Sequence, residues 1–211
     1  MLHVLLATRN AGKLRELREM VAGSDLVWHG LEDYPDLSEP EETGATFAEN
    51  AQLKARYYAE ATGLCTLADD SGLEVDALGG APGVHSARYA GLPRDDQANN
   101  RKLVAALAGV PAEQRQARFR CAIALVHDGQ VVLEADGAVE GLIVDAPRGH
   151  NGFGYDPHFW LPDLERTMAE LPADAKNSRS HRGQALRAIL PRIKAYFRQL
   201  GAGDVTRPTG G

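Results

Sequence analysis

The feature that most constrains the fold stands at the start of the chain. Residues 2–7 form a run that is apolar without interruption from Val4 to Ala7, Thr8-Arg9-Asn10-Ala11-Gly12-Lys13 breaks it, and Leu14, Leu17, Met20 and Val21 then recur at helical spacing. Such a run predicts a buried strand that passes through a short loop into an amphipathic helix. The theme returns along the chain. Thr46 with Glu49 three positions later is a capping-box signature for a helix reaching about Thr62. A second buried strand is expected over 64–68, running straight into Asp69-Asp70-Ser71-Gly72, and helical periodicity resumes over 95–107. Two β-rich runs, 117–127 and 131–139, flank Asp128-Gly129, a strong hairpin signal. A last helix is expected from about Gly183 to Leu200. Short apolar runs alternating with helical patterns indicate an α/β architecture.

With 211 residues, 44% of them hydrophobic, the chain can bury a substantial core, and residues 1–200 read as one folding unit. The tail 201–211 lacks an apolar pattern and is expected to be frayed. No apolar run approaches the length of a bilayer span, so no membrane association is expected. The first residues show neither a basic leader nor a small-residue cleavage site, which makes a cytoplasmic location the expectation. A net charge of −6 argues against a general nucleic-acid surface, and a polyphosphate ligand would need cations clustered locally. Cys65 and Cys121 lie inside apolar stretches, as small free hydrophobes do. His3, His29, His85, His127, His150 and His158 are scattered without metal-ligand spacing.

Five clusters could carry chemistry. The loop from Thr8 to Lys13 lies between strand and helix, so its amides and the helix N-terminus would face an anion, with Arg9 and Lys13 adding charge. It is not a Walker loop, because Leu14 follows Gly12-Lys13 and no glycine stands five positions before Gly12. A plain connecting loop is the competing reading. Asp69 and Asp70 follow an apolar strand, where α/β folds place ligands, and strand alternation sends only one of them into a site. An inert turn is the alternative there. Glu39, Glu41 and Glu42 could add a carboxylate for a hard cation, or form a solvated loop. Glycines around Phe153 and Tyr155 would let an aromatic ring lie on a flat ligand, or the rings could be core. Lys176 and the run Ser180-His181-Arg182-Gly183 offer donors to oxygen atoms, although Ser180 also suits a helix N-cap.

Taken in order, TRNAGK, EETGATFAENAQLKA, LADDSGLEVDALGGAPGVHSARYAG, FGYDP and KNSRSHRGQAL resemble the inosine/xanthosine triphosphate pyrophosphatase family, from residue 3 to about 190. The resemblance implies an elongated mixed β-sheet with two α/β lobes, a nucleotide cleft between them, and a homodimer. It implies hydrolysis of the bond between the α and β phosphates of ITP, dITP and XTP, with Mg2+ as cofactor. Carried over by motif, Thr8, Arg9, Asn10, Ala11, Gly12 and Lys13 would cradle the triphosphate. Asp70 would be general base and metal ligand, Glu42 a second metal ligand, and Ser71 a substrate contact. Phe153, Gly154, Tyr155 and Asp156 together with Lys176, His181 and Arg182 would recognise the base. Hypoxanthine and xanthine present a 6-oxo acceptor where adenine presents an amino donor, so a buried donor there favours the deaminated base. Arg9 departs from the family's usual small residue. A pyrophosphatase for another modified nucleoside triphosphate and a non-hydrolytic nucleotide-binding regulator are the competing functions.

Overall fold

In the computed structural model, which describes residues 3–203, seven strands form one mixed sheet in the order β2-β1-β3-β4-β5-β6-β7. Strand β1 (His3–Leu6) leads through the expected loop into helix α1 (Ala11–Val21) and returns in β2 (Val27–Gly30), parallel to β1. Helix α2 (Phe47–Thr62) is capped by Thr46, whose side chain accepts from Glu49 N. Strand β3 (Cys65–Val75) follows, then α3 (Asp96–Ala106), β4 (Gln116–His127) and β5 (Gln130–Ile143). The β4–β5 turn places Asp128 and Gly129 both at positive φ, as a two-residue hairpin requires. Short strands β6 (Phe159–Leu161) and β7 (Arg166–Thr167), helix α4 (Ala173–Arg179) and helix α5 (His181–Gly203) complete the fold. No helix among the described residues is long and apolar enough to cross a membrane. Of the tail expected to be frayed, residues 204–211 lie outside the described residues and 201–203 continue α5.

Two expectations change. The second strand does not stop before the aspartates: β3 runs eleven residues, with Asp69-Asp70-Ser71-Gly72 at its centre. It pairs parallel with β1 only over Cys65 to Leu67 and antiparallel with β4 from Thr66 to Val75. The aspartates therefore sit just beyond the carboxyl end of β1, still inside the sheet, because β4 continues to satisfy their backbone. Lys176 belongs to α4, a helix too short to show periodicity in the sequence.

Strand alternation decides which residues meet which helix. Val4, Leu6, Leu67, Ile123 and Leu125 face α1 and α5, whose Leu17, Val21, Ile189 and Ile193 complete a buried cluster. Leu5, Ala68, Ala124 and Val126 face α2 through Ala51, Ala55 and Tyr58. At the other end of the sheet Leu73, Leu103, Phe119, Phe159 and Met168 pack together. Burying each Val, Leu, Ile, Phe or Met among them contributes about 1.5 to 3 kcal/mol relative to exposure. The clusters at the two ends form two α/β lobes, spanned by the long β3–β4–β5 ribbon, and the cleft lies where β3 leaves β1.

Candidate active site

The loop after β1 forms one wall of the cleft. Asn10 caps α1, its side-chain oxygen accepting from Lys13 N at 3.0 Å, while Thr8 Oγ1 accepts from Asn10 N at 3.3 Å. Among the described residues these contacts leave the N–H groups of Arg9, Ala11 and Gly12 without a protein acceptor, beside the positive end of α1. Thr8, Arg9, Asn10 and Lys13 line one cavity with Glu42, Lys54 and Asp70. An adjoining cavity shares Asn10, Lys13 and Ser71 and continues to Phe153, His181 and Arg182.

The carboxylates of the first cavity are organised by α2. Asn50 and Lys54, one helical turn apart, both reach Asp70: Nδ2 at 3.3 Å from Oδ2 and Nζ at 2.9 Å from Oδ1. Lys54 Nζ also lies 2.9 Å from Glu42 Oε1, and Arg88 binds the other oxygen of Glu42 at 2.9 Å. Burial works to raise the Glu42 carboxyl, but Lys54 and Arg88 outweigh it and hold it below the ordinary range. For Lys54 burial disfavours the charge, and Asp70 and Glu42 reverse the balance, keeping the ammonium firmly protonated. Among the described residues no three His, Cys, Asp or Glu side chains are grouped to enclose a metal ion. Two facing carboxylates nevertheless fit Mg2+, which takes one or two protein carboxylates and completes its octahedron with water and phosphate oxygens.

Asp69, its neighbour on the strand, points the other way and is fully buried. It accepts from Lys13 Nζ at 3.1 Å and Arg182 Nε at 3.3 Å. Burial would raise its carboxyl, and Lys13 and Arg182 hold it well below the usual range instead. Only Asp70 of the pair lines the cavity, as strand alternation requires.

In the second cavity Arg182 is 1% exposed, yet its fork is largely occupied. Nε and Nη2 donate to Asp69, Nη2 also to Ser71 Oγ at 2.8 Å, and Nη1 to Glu16 Oε2. Of five N–H groups, one on Nη1 is left. Lys176 is likewise held by Glu16 at 2.7 Å and by Asp156, again with one donor to spare. The Phe153 ring lies under both cations, 4.8 Å from Lys176 Nζ, and against Gly12. His181, the first residue of α5, stacks on Phe119 with ring centroids 5.0 Å apart, its Nδ1 buried and unpartnered. Burial, with Arg182 and Lys176 nearby, holds its imidazole well below the ordinary value, so it is neutral. Ser180 caps α5, accepting from Gly183 N at 3.1 Å.

All the residues expected in the site except Ala11 and Gly12 line one of the two cavities, Gly12 lies against the Phe153 ring, and three make contacts that the sequence did not suggest. Tyr155 is buried core, its hydroxyl donating to Ser86 O at 2.8 Å. Asp156 is buried and accepts from Phe153 N and Lys176. Arg9 donates to the carbonyls of Tyr34 and Leu37, tying the loop that carries Glu42. Sequence reasoning missed Lys54 and Glu16. Lys54 was signalled by its one-turn spacing from Asn50, and Glu16 by sharing a helix face with Lys13.

Comparison with known proteins bears on this geometry. The sequence pattern of the Ham1 family matches residues 4–192. The chain is 53% identical over 186 residues to a protein named dITP/XTP pyrophosphatase in Geobacter sulfurreducens, covering 88% of this chain and 94% of that one. A protein of the same name in Nitratidesulfovibrio vulgaris is 54% identical over 202 residues, covering 92% and 97%. Among solved structures, a HAM1 protein from Coxiella burnetii superposes with a TM-score of 0.84 at 43% identity, over 92% of this chain and all of that one. The nucleoside-triphosphatase, dITP/XTP pyrophosphatase, from Mycobacterium abscessus gives 0.72 at 45% identity, over 91% and 100%.

Proposed function

The chain belongs to the Ham1 family, and from that premise we propose how its cleft hydrolyses dITP, ITP and XTP to the nucleoside monophosphate and pyrophosphate, removing deaminated purines from the nucleotide pool. The observation that carries the reading is Lys54 bridging Glu42 and Asp70 in a cavity that Thr8, Arg9, Asn10 and Lys13 also line. Carboxylates and anion donors face each other across a space that a phosphate chain would span.

The loop amides and Lys13 bind the β and γ phosphates, and the base enters the adjoining cavity beside Phe153. Asp70, fixed by Asn50 and Lys54, orients a water for in-line attack on phosphorus at the α–β bridge and takes its proton. Lys13 stays on the departing pyrophosphate. Mg2+, held by Glu42 and Asp70, would neutralise phosphate charge. The remaining donors of Lys176 and Arg182 face the 6-oxo group. Adenine, presenting an amino donor there, would leave a buried donor unpaired, at about 1 to 3 kcal/mol per lost bond. Residues 1–200 act as one catalytic unit in a homodimer, located in the cytoplasm.

The test is a panel of nucleoside triphosphates assayed for pyrophosphate release, with Mg2+ present and after chelation. Strong dITP, ITP and XTP hydrolysis, weak activity on ATP and GTP, and loss on chelation are expected. Preference for a modified pyrimidine triphosphate, or tight binding without product, would refute the reading.

A further inference from the structure

Helix α3 contributes only Asp96 to the lining of the Phe153 cavity, yet three of its first five side chains grip the two loops flanking it. Asp95 caps the helix, accepting from Gln97 N and Ala98 N, which leaves Asp96 free to reach outward. Asp96 Oδ2 accepts the N–H of Gly154 at 2.8 Å, and Asn100 Nδ2, one turn on, donates to the C=O of the same glycine at 2.9 Å. Gly154 has φ of +61°, a conformation that side chains rarely adopt, so its N–H and its C=O are both held in a geometry only glycine takes easily. The neighbouring residue Asn99 is 2% exposed and faces the opposite loop. Its Oδ1 accepts from Ala90 N at 2.7 Å and its Nδ2 donates to Ala87 O at 3.3 Å. Ala87 and Phe153 line the same cavity.

We propose that Asp96, Asn99 and Asn100 form a bracket that sets the spacing between the 86–90 segment and the Phe153 ring, and so the width of the slot that takes the base. They are positioning residues, acting through Gly154 and Ala87. The proposal rests on the reading that the base lies beside Phe153. A bracket whose arms end on backbone groups resists opening for a thicker or misplaced ligand and lets Phe153 close on a flat one without prior ordering. The same contacts explain why α3 carries polar side chains toward the protein: each satisfies a backbone group that lies outside the strands and α-helices.

The test combines Asp96→Ala, Asn100→Asp, which replaces the donor facing Gly154 O by an acceptor, and Asp96→Asn, which retains an acceptor for Gly154 N. The expected result is a rise in KM for dITP of about 5- to 10-fold in the first two, the scale of one lost hydrogen bond, exceeding any fall in kcat. The ratio of kcat/KM for dITP over dATP should shrink by a similar factor, Asp96→Asn should restore it, and inhibition by inorganic tripolyphosphate should not move. Amide exchange at Gly154 should quicken in Asp96→Ala and recover in Asp96→Asn. Equal losses on both nucleotides, weaker tripolyphosphate binding, or unaltered exchange at Gly154 would overturn the bracket. A wild-type enzyme inactive on dITP would refute the substrate reading alone, and exchange at Gly154 would still decide the bracket.

Discussion

The ring of Phe153 lies so close to Gly12 that a methyl group on that glycine would stand 2.5 Å from Cδ1 and 2.8 Å from Cγ. Gly12 sits in the first turn of α1 without a positive φ, so alanine suits its backbone and favours the helix by up to about 1 kcal/mol. Gly12→Ala should therefore keep or slightly raise the melting temperature while displacing Phe153 and increasing KM for dITP by at least about tenfold. In the double variant Gly12→Ala, Phe153→Ala the two losses should be strongly non-additive. Additive losses would mean that the ring and the helix start are not coupled.

Lys54 stands between Glu42 and Asp70 with only 12% of its side chain exposed. Lys54→Met leaves two carboxylates facing each other, and breaking a buried pair from one side costs about 3 to 5 kcal/mol. Denaturant unfolding should show that loss, and added Mg2+ should recover more stability in the variant than in the wild type, because a divalent cation can replace the ammonium. Equal Mg2+ stabilisation of the two proteins would argue against a metal at this pair.

Asp70 separates chemistry from binding. Asp70→Asn keeps the shape and an oxygen for Lys54 but cannot accept the proton of the attacking water. Turnover of dITP should fall by at least about a hundredfold, the scale of one general base, with substrate affinity measured by calorimetry largely retained. Near-normal turnover would remove Asp70 from the mechanism.

Much of this was legible because strand and helix periods place residues mechanically. The N-terminal apolar run, the Thr46 cap and the Asp128-Gly129 turn each recur at the expected positions. The boundary of β3 was not legible, since two adjacent aspartates resemble a turn and only pairing with β4 shows that they remain in the sheet. Glu16 and Lys54 were hidden for a different reason. A charged residue inside a helix has the same local signature whether it meets water or a distant cation, and Lys176 reaches Glu16 across 160 positions of sequence.

His181 should make stability sensitive to mild acid. Its imidazole is buried at the start of α5 near Arg182 and Lys176, and its folded value is depressed below the ordinary one near 6.5. A depressed group contributes stability that is complete above its unfolded value and is lost as pH falls toward the folded value. Asp69 and Glu42, also depressed, act with the same sign but only below about pH 4.5, where carboxylates titrate. Between pH 6.5 and 5 the wild type should lose up to about 1.4 kcal/mol per pH unit, and His181→Gln should flatten that slope. Guanidinium midpoints across the range decide the point, and parallel slopes would assign the acid sensitivity elsewhere.

Glu16 gives the sharpest test of the base site because it serves both cations at once. Lys13, Lys176 and Arg182 face Glu16, Asp69 and Asp156 in a buried set of three positive and three negative groups. Glu16→Gln keeps the volume but removes one charge and turns one arm into a donor, which cannot face both Lys176 and Arg182. One cation must turn away, either into the cavity or toward Asp69. The variant should lose about 3 to 5 kcal/mol of stability, as when a buried charge is left uncompensated. More telling is its selectivity: kcat/KM for dITP should fall by at least about tenfold, the cost of one misplaced charged donor, while that for dATP should change little. A variant that is merely less stable, with the preference for dITP over dATP intact at a temperature where it is folded, would show that Glu16 holds the fold and not the donors.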